Sequence, residues 1–205
     1  MLQTVKFAFY ILFHPLDGFW DLKHHMKHTF AAANLLLVLL CALQILNVQF
    51  TSFHYGMLDR DSNNIFYNIG GFVIPLFAWT VINWALSTLL DGKATMKQIW
   101  VQSIFSLFPV LLSMPVLMVL SYYMVLEEAA FFYMIQSVAA LWAGFLFLSG
   151  NMTIQDYTLG KTLWMVIFTF LGIGAAIFIG IIFFSTFQQL VTFISTVVIE
   201  IRYMP

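Results

Sequence analysis

The sequence predicts an all-α fold: a polytopic membrane protein, a five-transmembrane-helix bundle with an interfacial N-terminal helix and an amphipathic C-terminal helix. Three observations carry that expectation. Of 205 residues, 62% are hydrophobic and only 8% charged, a balance no soluble domain of this size folds with. The 17 charged residues, 8 basic and 9 acidic, leave five intervals without charge: 28–58, 62–90, 98–126, 129–155 and 162–199. Crossing the hydrocarbon core takes roughly 20 mainly apolar residues, so each interval accommodates one crossing. Finally, the basic residues fall in alternate loops, as they do when helices pass back and forth across a bilayer.

Taken in order, Leu2–Phe13 is apolar but too short to span; Lys6 lies within it and Pro15 ends it. It suits a helix at the cytoplasmic interface, within an interfacial segment over 1–28. The five spans, within 29–184, fall near Phe30–Gln49, Ile65–Leu90, Ile99–Tyr123, Phe131–Gly150 and Thr162–Phe184. Pro109 and Pro115 should distort the third. Asp91-Gly92 and Leu159-Gly160 mark turns, each Gly followed by Lys, and the recurrence hints at a duplication of helix pairs two–three and four–five. In the tail, 185–205, Phe187, Val191, Ile194, Val198 and Ile201 recur at steps of three and four. Gln188, Gln189, Thr192, Ser195 and Glu200 fall mostly elsewhere on the wheel, so the tail reads as an external docking helix. The whole chain, 1–205, reads as one transmembrane domain.

Lys6, Lys23 and Lys27, the second loop with Lys93 and Lys97, and the fourth with Lys161 share one side. Arg60 and Arg202 lie on the other. Six against two places the N-terminus in the cytoplasm and the C-terminus outside, in a multi-pass plasma-membrane protein. Trp20, Trp100 and Trp164 at one boundary and Tyr122, Tyr123 and Tyr133 at the other fit an aromatic belt.

Several activities lose support from the motifs. The loops are too short for a folded catalytic domain, and a net charge of −1 argues against nucleic acid as a partner. Cys41, the sole cysteine, lies inside the first span, so neither a disulfide framework nor a cysteine zinc site follows. Gly160-Lys161-Thr162 resembles the end of a phosphate loop, but Gln155 stands where its first Gly belongs. Asp59-Arg60-Asp61-Ser62-Asn63 opens like a calcium loop and fails at Asn64 and Gly70. Asp21, His25 and His28 have metal-ligand spacing on a helix, yet Lys23 and Lys27 among them favour a basic juxtamembrane helix facing anionic headgroups. Glu127 and Glu128 read as caps of the fourth span. No catalytic residue, metal or other cofactor is expected.

No ionisable residue lies near the centre of a span, which argues against an ion-coupled carrier. Asn34, Gln44, Asn68, Asn83, Ser87, Gln102, Ser106 and Gln136 supply uncharged hydrogen-bonding groups instead. They read as links between helices, with a polar path lined by Asn83 and Gln102 as the alternative. Gly172, Ala176 and Gly180 give the fifth span a face of small residues, suited to packing within the bundle or against a partner.

The segment Phe13-His14-Pro15-Leu16-Asp17-Gly18-Phe19-Trp20-Asp21-Leu22-Lys23, followed by five spans, resembles the bacterial branch of the Yip1-domain membrane proteins. Leu90-Asp91-Gly92-Lys93 through Trp100 and Asp156 through Leu163 are similar to the same family. The resemblance implies five spans, no catalytic residues, and work done through contacts. It marks His14, Pro15, Gly18, Phe19, Trp20 and Lys23 as a cytoplasmic interface. Eukaryotic members act in vesicle traffic; bacterial members are often encoded beside sugar ABC-importer components. The expectation is therefore a non-enzymatic accessory or scaffold subunit of a membrane complex such as a carbohydrate ABC importer. Its partners are the lipid bilayer and other integral membrane proteins, such as ABC permease subunits. The alternatives are a small channel or facilitator, and a membrane-organising or trafficking protein.

Overall fold

A computed structural model describes residues 2–24, 29–51 and 64–203, and among them every regular element is a helix. Five helices are long and apolar enough to cross a membrane: Phe30–Phe50, Ile65–Leu89, Met96–Tyr123, Ala129–Gln155 and Leu159–Thr196. Three lie wholly within the stretches that the charge pattern marks out, and the third and fifth begin just before theirs, with Lys97 and Lys161 in their first turns.

The chain begins with α1 (Leu2–Phe13) and α2 (Pro15–His24). His14 N–H donates to the Tyr10 carbonyl at 2.8 Å and Gly18 N–H to the His14 carbonyl at 2.9 Å. Pro15 between them has no N–H, and the chain bends there. The bend is sharp: a Cβ on Gly18 would lie 2.7 Å from Ile11 Cγ1 and 3.0 Å from its Cα. In a straight helix residues seven apart are separated by about 10.5 Å, so glycine is required by the close approach. Ala8 and Ile11 of α1 are buried in the main core with Phe19 and Leu22 of α2. The Phe7 and Phe9 rings meet Phe105 and Phe108 edge-on at 5.6 and 5.1 Å. Trp142, midway along the fourth span, donates its Nε1–H to the Leu12 carbonyl at 3.3 Å. The N-terminal helix thus reaches the middle of the fourth span, because its apolar face completes the core between the third and fourth spans.

The first span, α3 (Thr29–Phe50), and the second, α4 (Ile65–Leu89), flank the third. The third comprises α5 (Met96–Ser106) and α6 (Phe108–Tyr123), separated at Leu107. Pro109 causes the break: it cannot donate to the Phe105 carbonyl, and Leu107 N–H bonds back no further than Ile104, at 3.1 Å. Pro109 then sits in the first turn of α6, where a missing N–H costs nothing. Pro115 is accommodated inside α6 and Pro75 inside α4.

Glu127 and Glu128 lie in a 3₁₀ turn before α7 (Ala129–Gln155). Glu128 takes the N-cap position without a side-chain capping bond, so the pair acts through charge on the helix dipole. The last helix, α8 (Leu159–Tyr203), runs unbroken for 45 residues, about 67 Å. The tail therefore continues the fifth span. Half of the third span's most apolar 18-residue window is buried, against 6% of the fifth's, which sets the third at the centre. Thr162, Met165 and Thr169 of α8 are buried, whereas every residue from Gly174 to Thr196 is exposed.

Candidate functional site

Polar chemistry concentrates where α4 meets α5 and α7 meets α8, at the lysine-rich end of the bundle. α4 ends with Leu90 N–H bonded to Leu86 and Ser87 carbonyls and Gly92 N–H to Ser87 O at 2.8 Å. Asp91, at φ 54°, itself takes the left-handed position of the turn. Gly92 is needed for space instead. A Cβ there would collide with Gln155 Oε1 and stand 2.6 Å from the Tyr157 hydroxyl and 2.7 Å from Ser87 Cβ. α7 ends in the same way at Asp156, φ 58°, while Gly160 lies within α8 with open space around it. The repeat in the two turns is thus the left-handed aspartate, with the Gly-Lys pairs in unlike settings.

Asp156 is the centre of the site. Its Oδ1 meets Lys23 Nζ at 2.6 Å and its Oδ2 meets Lys93 Nζ at 3.4 Å, so one carboxylate joins α2, the α4–α5 turn and the α7–α8 turn. The hydrogen bond from Lys23, followed by the Lys23 and Lys93 charges, outweighs partial desolvation and holds the Asp156 carboxyl below its ordinary range. Lys23 lies in the last turn of α2, where a cation also favours the helix dipole. Gln98 closes the group: its Oε1 accepts from Thr95 N–H at 2.8 Å in a capping box, and its Nε2 donates to the Lys23 carbonyl at 3.2 Å. The Tyr157 hydroxyl donates to the Leu90 carbonyl at 3.0 Å. Burial, reinforced by the Asp91 charge, pushes its phenol up, and Lys161 Nζ stands 4.4 Å over its ring.

Below this layer a buried polar stack runs into the bundle. Gln155 Oε1 accepts from Ala94 N–H at 3.2 Å, its Nε2 reaches Asn83 Oδ1 at 3.5 Å, and Asn83 Nδ2 donates to Thr169 Oγ1 at 3.2 Å. Gln102 donates to the Phe147 carbonyl and to Ser106 Oγ, both at 3.1 Å. Gly150 makes room for it: a Cβ there would stand 2.5 Å from Gln102 Nε2. Asn83 and Gln102, the residues of the hypothetical polar path, are fully buried and held in links between helices. Asn34 does the same for α3, accepting from Trp100 Nε1 at 3.0 Å.

The structure separates the residues singled out from sequence. Gly18, Phe19 and Lys23 fix α2 in place; His14 and Pro15 form the bend; Trp20 is exposed, its ring 4.2 Å from His24. Gly172 packs on α4, where a Cβ would stand 2.7 Å from Ile82 Cγ2. Ala176 is exposed and Gly180 has open space beside it, so the small-residue face touches the bundle only at its first member. Phe187, Val191 and Ile194 are exposed, while the side chains of Val198 and Ile201 lie outside the described residues. Among the described residues no three His, Cys, Asp or Glu side chains cluster as metal ligands. His25 and His28 of the spacing with Asp21, and the loop Asp59–Asn63, lie outside them.

In the sequence Asp156 and Gln155 stand out only as parts of other patterns, though the segments that carry the resemblance hold the signal. Phe13–Lys23, Leu90–Trp100 and Asp156–Leu163 are far apart in the chain and converge on this one corner through Lys23, Lys93, Gln98, Asp156 and Tyr157. No curated protein and no solved structure matches the chain. The Yip1 domain matches residues 9–182, which take in the three converging segments and all but the far part of α8, and the chain belongs to the Yip1 domain family of membrane proteins.

Proposed function

We propose that this protein is a non-enzymatic membrane scaffold that works by lateral contact with other integral membrane proteins. The observation that carries the reading is α8. Its apolar stretch Leu159–Thr196 is 38 residues, about 57 Å, against a hydrocarbon core of about 30 Å. Even a tilt of about 40°, the upper end of the usual range, leaves a large part outside the core. Phe187, Val191 and Ile194 then stand exposed at the far end, an apolar surface that a partner would cover. Gly172, Ala176 and Gly180 offer a second approach along the same helix, with Ala176 and Gly180 turned away from the bundle.

The finer reading rests on the resemblance to bacterial members: an accessory subunit of a carbohydrate ABC importer in the plasma membrane. The lysine-rich end lies in the cytoplasm, on the positive-inside bias, and the α8 tail lies outside beside the permease. Purification in mild detergent with site-specific cross-linkers at Phe187 and Ile194 tests it. The expected result is a cross-link to an ABC permease subunit; a monomer that cross-links only to lipid overturns it.

A further inference from the structure

The bend at Pro15 carries two ionisable side chains to a depth where the spans themselves have none. His14 and Asp17, three apart at the start of α2, line a cavity of about 510 Å³ whose apolar walls include Phe145, Leu148 and Met152 of α7 and Leu163 of α8. Ser149 and Thr162 add two hydroxyls. α7 is 27 residues long, about 40 Å, so it exceeds a hydrocarbon core of about 30 Å by about 5 Å at each end. Met152 and Phe145 lie about 4.5 and 15 Å in from Gln155 along that helix, so the cavity runs from about the boundary to about 10 Å below it.

The volume suits a small-molecule site. Its rim is apolar: Leu159 and Leu163 are 67% and 43% exposed, facing the region lipid chains occupy. An occupant must therefore be apolar over most of its length and polar at one end, at the depth of a lipid's ester groups. Among the described residues neither His14 nor Asp17 joins an ion pair, so both retain hydrogen-bonding capacity toward the cavity.

We infer that this cavity binds one bilayer lipid with a zwitterionic head carrying a free ammonium, of the phosphatidylethanolamine class. Its acyl chain lies along Phe145, Leu148, Met152 and Leu163. The ammonium donates to the Asp17 carboxylate, and the phosphate accepts from the imidazole of His14. A choline head has no N–H to donate, and a glycerol head has no cation to offer Asp17, so the pair discriminates among lipids that share the same chains. The inference is independent of the partner proposed for α8.

The full chain, reconstituted in nanodiscs of equal phosphatidylethanolamine, phosphatidylcholine and phosphatidylglycerol and released for native mass spectrometry, provides the test. One retained phosphatidylethanolamine is expected, favoured about tenfold over the others, and Asp17→Asn should erase that preference. Leu148→Trp should fill the cavity and abolish retention. A photoactivatable acyl chain on phosphatidylethanolamine gives a readout in the unaltered protein, with label expected between Phe145 and Leu163. Retention in the ratio supplied, Asp17→Asn that keeps the preference, or label confined to other spans overturns the inference.

Discussion

The two ends of α8 differ in what holds them. At the start, Thr162, Met165 and Thr169 are buried, Gly172 meets Ile82, and the preceding turn is tied down by Asp156, Tyr157 and Gln155. Beyond Gly174 the same helix has no buried residue as far as Thr196. Hydropathy does not separate the halves, since both are rich in Ile, Phe and Leu. Nor does composition alone, since Ala176, Gly180, Gln188, Gln189 and Thr192 lie in the exposed half. What separates the halves is partnership: Thr169 accepts from Asn83 and Gly172 meets Ile82, so there the small and polar residues lock one helix to another.

Valine at two glycines should break the comparison most visibly. Gly92→Val drives a branched side chain into Tyr157, Gln155 and Ser87 and should lower stability by about 2–3 kcal/mol, read as an earlier thermal transition in detergent. Gly180→Val, with open space around its site, should change the same transition by less than about 0.5 kcal/mol. Equal losses from the two would mean that the far half of α8 is packed after all.

The ion pairs give the next largest effect. Asp156→Asn retains a residue that tolerates the left-handed turn and removes the shared carboxylate. Because Asp156 is 47% exposed, solvent screening limits the loss to about 1 kcal/mol. Lys23→Met should cost more than Lys93→Met, since the Lys23 side chain is 13% exposed and that of Lys93 70%. Melting curves of the three variants rank the contacts.

The same carboxylate predicts a pH dependence. Its folded value lies below the ordinary 3.8, so the native state holds fewer protons than the unfolded chain there. The contribution is complete above that ordinary value and is lost as pH falls through the lower folded value. The wild-type transition should fall in acid by more than that of Asp156→Asn, with the difference confined to below about pH 4. A constant difference down to pH 2 would remove the pairing from the account.

Much of this architecture is legible in the sequence because the bilayer imposes a one-dimensional rule: charge ends a span, and charge-free stretches are the spans. Leu107 is less legible than Pro109, since proline's effect falls on the turn before it. The packing of α1 is not legible at all. Its twelve residues read as an interfacial helix, and only the contacts of Ala8, Ile11 and Leu12 show which distant helices they meet. The clamp is legible as three separate segments but not as one place, because pairing Lys23 with Asp156 requires α2 to return alongside α7 after the bend. That return depends on Gly18, whose role is tertiary and leaves no periodicity to read.

The smallest effect on the bundle should come from the far end of α8, where it is most informative. Phe187→Ser with Ile194→Ser removes two exposed apolar side chains. Surface changes of this kind move stability by less than about 0.5 kcal/mol, so the melting transition should stay where it is. If α8 docks on a partner, the pair of substitutions should nonetheless release it, because an anchor in a desolvated interface commonly carries about 2 kcal/mol or more of binding. The measurement is two-sided: an unchanged transition in detergent with co-purification lost assigns these residues to contact. A lowered transition would make the far half of α8 part of the fold, and the difference between the two ends of the helix would then be one of degree.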